Sequence, residues 1–144
     1  MNKTTFTHKD KNNYTWFLID ANSATLGRMS TEISKILLGK NSAHFYPGQS
    51  IQHGVIIINA EKIKVTGKKE TDKFYYRHSG TPGGLTIETF NELKERIPSR
   101  IIEKSVKRML PKGSLGRELF TRLKVYKGSD HPHKAQNPKQ INLN

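Results

Sequence analysis

A cluster of cationic side chains surrounds a predicted helix end in the C-terminal half of the chain. Lys104, Lys107 and Arg108 are three and four residues apart, so a helix would place them along one side. A proline ends that helix, and the glycine-containing loop that follows adds Lys112 and Arg117. Fixed cations beside a loop that can bend are suited to binding phosphates. The alternative is an ordinary solvated helix surface, which also carries charge.

The overall charge favours the phosphate-binding interpretation. The 144 residues contain 25 Lys and Arg against 12 Asp and Glu, a formal net charge of +13. Residues 94 to 144 alone hold thirteen basic and four acidic side chains, so most of the excess lies around the predicted cluster. Such a balance is typical of nucleic-acid-binding proteins. A membrane partner is not expected, because no apolar run approaches the roughly 20 residues that a span needs.

A second basic group precedes a short aromatic segment. Lys68, Lys69 and Lys73 lie before the sequence FYYRH, in which Arg77 follows two tyrosines. Mixed π faces and charges occur on RNA-contacting surfaces, although half-buried strand aromatics give the same pattern. RNA is favoured over duplex DNA because no helix-turn-helix, zinc-finger or basic-zipper pattern is present.

Other residues suggest catalysis only weakly. Asp20 ends a predicted buried strand, where α/β enzymes often carry functional groups, but DANSATLGR lacks the glycine fingerprint and favours a turn role. Residues 39 to 42 resemble the end of a phosphate loop, yet Ser34 replaces its first glycine. His78 has no evident partner for acid–base chemistry. We therefore expect no enzyme activity.

The histidines near the C-terminus raise the question of a metal site. His131 and His133 could share a metal, but only Asp130 is a nearby third ligand. The chain has no cysteine, which excludes thiolate zinc sites and disulfides. Contact with phosphate or a base edge is the favoured role for these histidines, and we expect no metal, cofactor or small-molecule substrate.

The elements that must position these residues follow from hydrophobic patterns. Residues 16 to 19 and 55 to 58 are predicted buried strands, and between them Leu26 to Leu37 have helical spacing with Gly39 as the C-terminal cap. This order predicts a parallel crossover. The segment 63 to 65 and the segment 74 to 76 are predicted strands joined by a polar turn.

The second half is predicted to be helical. Apolar residues between Leu85 and Ile97 predict one helix, Ser99 is a candidate cap for the next, and residues 115 to 123 predict another. On the central helix, Met109 is assigned to the core side. The predicted division is an N-terminal extension (1–14), a single α/β RNA-binding domain (15–128) and an extended tail (129–144). Because the tail is almost free of apolar residues, its removal is expected to leave the melting temperature nearly unchanged.

The order of several motifs resembles a known family. WFLIDANSATLGR, LLGK, VIIINAEKIKVTGKK, KFYYRHSGTPGG, VKRMLPKGSLGR, RLKVYKG and HPHKAQNP strongly resemble the bacterial and organellar type of large-subunit ribosomal protein thirteen. The likeness runs from about Trp16 to Pro138. It implies a three-layer α/β/α domain with a mostly parallel four-stranded sheet. It also implies a structural role in translation: binding large-subunit (23S-type) ribosomal RNA beside neighbouring ribosomal proteins and supporting early ribosome assembly.

Two positions depart from the family pattern. Gln52 and His53 replace a common Gly-Asp, which removes any contact that needs the carboxylate. Lys68 and Lys69 stand where the family often has Asn-Lys, which exchanges an amide for another cation and should not weaken RNA binding. The implied location is the ribosome, in bacterial cytoplasm or in an organelle.

The predicted RNA ligands are therefore basic groups from four segments of the chain. The main ones are Lys104, Lys107, Arg108, Lys112, Arg117, Arg122 and Lys124, and the secondary ones are Lys68, Lys69, Lys73, Arg77, His131, His133 and Lys134. Two alternative functions stay open. One is a small enzyme acting on a phosphorylated substrate at residues 20 to 28, and the other is a free regulator that binds messenger RNA.

Overall fold

The protein is an α/β domain built around a parallel sheet. The computed structural model describes residues 14–43, 45–47 and 52–141. The strands in this part are β1 (Thr15–Asp20), β2 (His53–Ile58), β3 (Phe74–His78), β4 (Leu85–Thr89), β5 (Leu123–Val125) and β6 (Lys139–Ile141). The helices are α1 (Leu26–Leu38), α2 (Lys69–Asp72), α3 (Phe90–Arg96), α4 (Ser99–Met109) and α5 (Ser114–Thr121).

The first half confirms the predicted crossover. β1 and β2 pair in parallel, with Phe17 opposite Val55, and α1 connects them. Gly39 ends α1 in the left-handed conformation at φ 74°, where its N–H donates to carbonyl groups of the last turn. Ile33 and Leu37 of α1 are fully buried, and α1 packs on both β2 and α4. This packing fixes α4 in place.

The four-stranded sheet has the order β5-β2-β1-β6, and all its pairs are parallel. This confirms the α/β class and the four-stranded sheet implied by the resemblance. Two of its strands, β5 and β6, were not predicted as strands: β5 begins within a predicted helix, and β6 lies in the predicted tail. Leu123 begins β5 and does not continue the preceding helix, which ends at Thr121.

The C-terminal segment is extended, as predicted, but it is joined to the domain. β6 pairs with β1, with Phe17 opposite Lys139 and Ile19 opposite Ile141. The side chain of Ile141 also packs against the core. This pairing argues against the expectation that removing the residues after Gly128 would leave the melting temperature nearly unchanged.

A hairpin replaces the start of a predicted helix. Leu85 to Thr89 form β4, which pairs antiparallel with β3, and α3 begins only at Phe90. Thr89 caps α3: its N–H donates to the Glu92 carboxylate at 2.8 Å, and its hydroxyl accepts from the Glu92 N–H at 3.3 Å. This capping box, readable in the sequence as T-x-x-E, marks the true helix start.

Three smaller predictions also need correction. Residues 63 to 65 form no strand; an isolated bridge joins Thr25 to Lys64. Pro98, and not Ser99, is the N-cap of α4. Met109 is 44% exposed and lies outside the core. Within the described residues, no helix combines the length and apolar character needed to cross a membrane.

Candidate nucleic-acid interface

α4 positions the predicted cations because one of its sides is buried in the core. Ile101, Ile102 and Val106 are fully buried, so the remaining side of the helix faces solvent. Lys107 and Arg108 are exposed there, whereas Lys104 is half-buried. The exposed side of a rigid, well-packed helix thus carries positive charge in a fixed place.

Cations from two separate segments of the chain contact the ring of Tyr75. Tyr75 is 5% exposed, and the Lys104 Nζ lies 5.1 Å and the Lys73 Nζ 5.4 Å from the centroid of its ring. Both distances are typical of cation–π contacts. Burial raises the pKa of the Tyr75 phenol, while the nearby Arg108 charge opposes that rise. The cations of α4 and of the α2–β3 region therefore meet across one aromatic side chain.

The charges in this cluster repel one another. The pKa of Lys73 is lowered first by burial and then by the positive charges of Lys69 and Arg108. In the described part of the chain, the ion pairs are Lys35 with Glu32, Arg96 with Glu88 and Arg122 with Glu118. None of them neutralises the cluster around Tyr75. A bound anion would relieve this repulsion.

A cleft of about 860 Å³ opens on one side of α4. We call it the α1–α4 cleft. Lys68, Lys69, Lys73 and Arg28 contribute its cations, and Met109 contributes an apolar wall. The first residues of α1 also line it, and the N-cap of that helix makes no side-chain hydrogen bond. The partial positive charge of a helix N-terminus adds to that of the cations.

A smaller cleft of about 340 Å³ lies at the turn between α4 and α5. We call it the elbow cleft. Lys107, Lys112 and Arg117 line it, and the Lys107 Nζ is 5.5 Å from the centroid of the Phe120 ring. Gly116 lies against the Pro111 carbonyl, and a Cβ at this position would collide with that oxygen. The close approach shapes the elbow, so the glycine is required by packing.

Other predicted ligands are placed differently. Arg122 forms an ion pair with Glu118 at 2.6 Å and lies 5.7 Å from the Tyr14 ring, and only 10% of its side chain is exposed. Lys124 is half-buried in β5, and Arg77 is exposed on β3. None of these three lines either cleft. The structure therefore separates Arg122 from the cations that face solvent.

The C-terminal histidines contact other parts of the protein. The His133 ring stacks on Trp16 at 6.0 Å with an interplanar angle of 10°, and its Nε2 is 2.7 Å from the Tyr126 hydroxyl. His131 accepts a long hydrogen bond from the His133 N–H at 3.3 Å, while Lys134 is exposed. The described residues contain no group of three or more His, Asp or Glu arranged to hold a metal.

Asp20 has the turn role that its surroundings favoured. Its Oδ1 accepts hydrogen bonds from the Asn22 N–H and from the Asn59 side-chain amide, both at 2.9 Å. Asn59 and Ser23 adopt left-handed backbone conformations beside it. The carboxylate therefore holds two loops together at the carboxyl ends of β1 and β2.

Sequence reasoning missed Arg28 as a member of the basic surface. Its position in the first turn of α1 was visible, but the cleft that it shares with Lys68 and Lys69 exists only because the fold brings Thr25 beside Lys64. A local pattern carries no information about that contact.

Comparison with known proteins shows the family of this chain. The family profile described as Ribosomal protein L13 matches residues 14–132. The chain is 57% identical to the large ribosomal subunit protein uL13 of Prochlorococcus marinus over 99% of this chain and 95% of that protein. It is 58% identical to the large ribosomal subunit protein uL13c of Guillardia theta over 96% of each chain. The matches span nearly the whole molecule, and the chain belongs to the ribosomal protein L13 family.

Proposed function

We propose that this chain binds large-subunit ribosomal RNA by neutralising phosphates at α4 and thereby supports early assembly of the subunit. Family membership makes it a structural component of the ribosome and not an enzyme. The observation that carries the RNA proposal is the cluster of cations around Tyr75. None of the ion pairs in the described part of the chain includes Lys73 or Lys104, and Asp72 is the one carboxylate that lines the adjoining α1–α4 cleft. Such a cluster is stabilised when an anion binds.

The arrangement of the clefts supports a mechanism in which two RNA segments are held together. α4 lies between the α1–α4 cleft, lined by Ser105 and Met109 of this helix, and the elbow cleft, lined by its Lys107. Each cleft carries several cations. Phosphates from two strands that would otherwise repel each other are thus brought to opposite sides of one rigid helix, which is suited to holding an RNA junction.

The first test is the salt dependence of binding to a transcript of large-subunit ribosomal RNA. Changing Lys107, Arg108 and Lys112 together to alanine should leave the fold intact and reduce the slope of log affinity against log salt by about two, at roughly 0.7 to 0.9 per phosphate contact. An unchanged slope would refute the assignment.

A matched control removes the same formal charge elsewhere. Lys35 is paired with Glu32, and Lys94 and Lys127 line a surface groove with Glu61 and Glu95. Changing these three lysines to alanine should alter the slope much less, because acidic neighbours already reduce their local potential. Equal effects of the two triple variants would show that net charge alone, and not the α4 surface, governs binding.

Sedimentation distinguishes the structural role from a free regulator. A tagged chain should migrate with large subunits through a high-salt wash and crosslink to their RNA from residues 104 to 124. Neighbouring ribosomal proteins are expected in the same fractions. A soluble peak without ribosomal RNA would instead favour the regulator.

A further inference from the structure

The β3–β4 hairpin has an exposed face that the phosphate-binding mechanism does not use. Phe74, Tyr76 and His78 alternate along β3, and the register places Ile87 opposite Tyr76 and Leu85 opposite His78. Alternate residues of a strand lie on the same face, so these five side chains form one surface. Phe74 is 49% and Tyr76 61% exposed, and the two aliphatic residues are more than half exposed.

This face differs in chemistry from the rest of the surface. It contains no Lys, Arg, Asp or Glu, although the chain has a net charge of +13. The opposite face of the hairpin supplies Tyr75, which is buried against the α4 cations. A contiguous apolar surface of this kind marks a contact site, because its exposure to water costs free energy.

The position of the face indicates which partner it fits. Lys73 lines the α1–α4 cleft and directly precedes Phe74, and its Nζ lies over the Tyr75 ring, so the basic cleft reaches the start of β3 from the face opposite to the exposed aromatic one. Arg77 is exposed on that same opposite face of the strand. Single-stranded nucleic acid binds where cations and exposed aromatic side chains are close together, and a strand that crosses the start of β3 could place its phosphates on the cations of one face and its bases on the rings of the other.

The rings are spaced and held in a way that suits base stacking. Alternate residues along a strand repeat at about 6.7 Å, which places three π systems in a row. His78 is fixed by a hydrogen bond in which the Gly80 N–H donates to its Nδ1 at 2.9 Å. A ring fixed before binding loses little conformational freedom when a base stacks on it.

We propose that the hairpin face formed by Phe74, Tyr76 and His78 stacks unpaired nucleobases of the RNA whose phosphates bind the adjacent cleft. The inference rests on the proposed function, since it assigns bases to a surface beside the phosphate site. Leu85 and Ile87 extend the apolar area beneath those bases.

The test compares the variant F74I/Y76I with the wild type in equilibrium binding to a large-subunit ribosomal RNA transcript over a range of salt concentrations. Isoleucine keeps an apolar side chain with a strong strand preference but removes the π face. Affinity should fall roughly fivefold or more at every salt concentration, in line with the loss of base stacking, while the slope stays unchanged. Ultraviolet crosslinking should also lose adducts at residues 74 and 76.

The failure of this inference is distinguishable from the failure of the proposed function. Unchanged RNA affinity in F74I/Y76I, together with the reduced slope of the Lys107, Arg108 and Lys112 variant, would overturn base stacking and leave phosphate binding intact. Protection of this face by another ribosomal protein, with unchanged RNA affinity in the variant, would also overturn it. A wild-type chain that does not bind the transcript would overturn both proposals.

Discussion

The turn at Asp20 and the cluster around Tyr75 both contain charged side chains, but only the Asp20 charge is satisfied by hydrogen bonds from within the chain. Asp20 receives two hydrogen bonds from within the chain, which use its carboxylate to join two loops. Lys73 and Lys104 instead share one aromatic ring, and the Lys69 and Arg108 charges lower the pKa of Lys73. A charge satisfied internally stabilises the fold, whereas charges that repel one another are available to an external ligand.

The largest expected effect concerns the segment that contains His133. This residue was predicted to contact RNA, but in the structure its ring contacts Trp16 and Tyr126. Deleting residues 129–144 removes its contacts with Trp16 and Tyr126 and the β6 ladder, so the free energy of unfolding should fall by about 2 kcal/mol. Thermal melting should show a decrease of several degrees. The single variant Lys134→Ala, which removes an exposed cation, is the stability control. A truncated chain with the wild-type melting temperature would show that this segment does not support the fold.

A variant of Asp20 tests whether a charge with internal hydrogen-bond partners contributes to stability and not to RNA binding. Asp20→Ala removes two hydrogen bonds and should lower the free energy of unfolding by about 1 kcal/mol. The salt slope of RNA binding should not change. Asp20→Asn retains an acceptor oxygen and should be closer to wild type in chemical denaturation. Tighter RNA binding or a steeper slope in Asp20→Ala, with a normal melting temperature, would place this carboxylate beside the bound phosphates and contradict the contrast.

Lys73 gives the smallest expected effect, which appears only at alkaline pH. Its pKa in the free protein lies below the ordinary lysine value of 10.5, mainly because of burial. A bound phosphate favours the charged form and raises that pKa, so the complex holds a proton that the free protein loses first. RNA affinity should therefore decrease as pH rises towards 10.5, and more steeply in the wild type than in Lys73→Arg, whose side chain stays charged. A constant ratio of the two affinities would contradict phosphate contact at Lys73.

Local patterns were sufficient for the β1–α1–β2 crossover. The helical spacing of α1, its Gly39 cap and the apolar strands on either side are all properties of neighbouring residues. The prediction for residues 85 to 89 failed because Leu85 and Ile87 are apolar yet exposed. Their spacing was interpreted as the buried side of a helix, whereas they lie on a strand. β6 was missed because a short edge strand is stabilised by its partner and not by its own composition.

The charged residues of the candidate site could be predicted from the sequence, but their positions relative to one another could not. The sequence identifies Lys73 and Lys104 as cations, yet their meeting over Tyr75 depends on the packing of the hairpin against α4. It also could not distinguish Arg122, which is paired with Glu118, from cations that line a cleft. Internal partners decide which charges remain available, and they come from distant parts of the chain.

The pairing of β6 with β1 has a consequence for synthesis. β1 is translated before every other strand of this sheet, but one of its edges is covered only when Lys139 to Ile141 have been translated and have left the ribosome. Until then that edge exposes unpaired backbone groups to any other extended chain. The sheet of the nascent protein therefore stays incomplete until β6 has been made, and we expect the pairing of β6 with β1 to be a late step of folding.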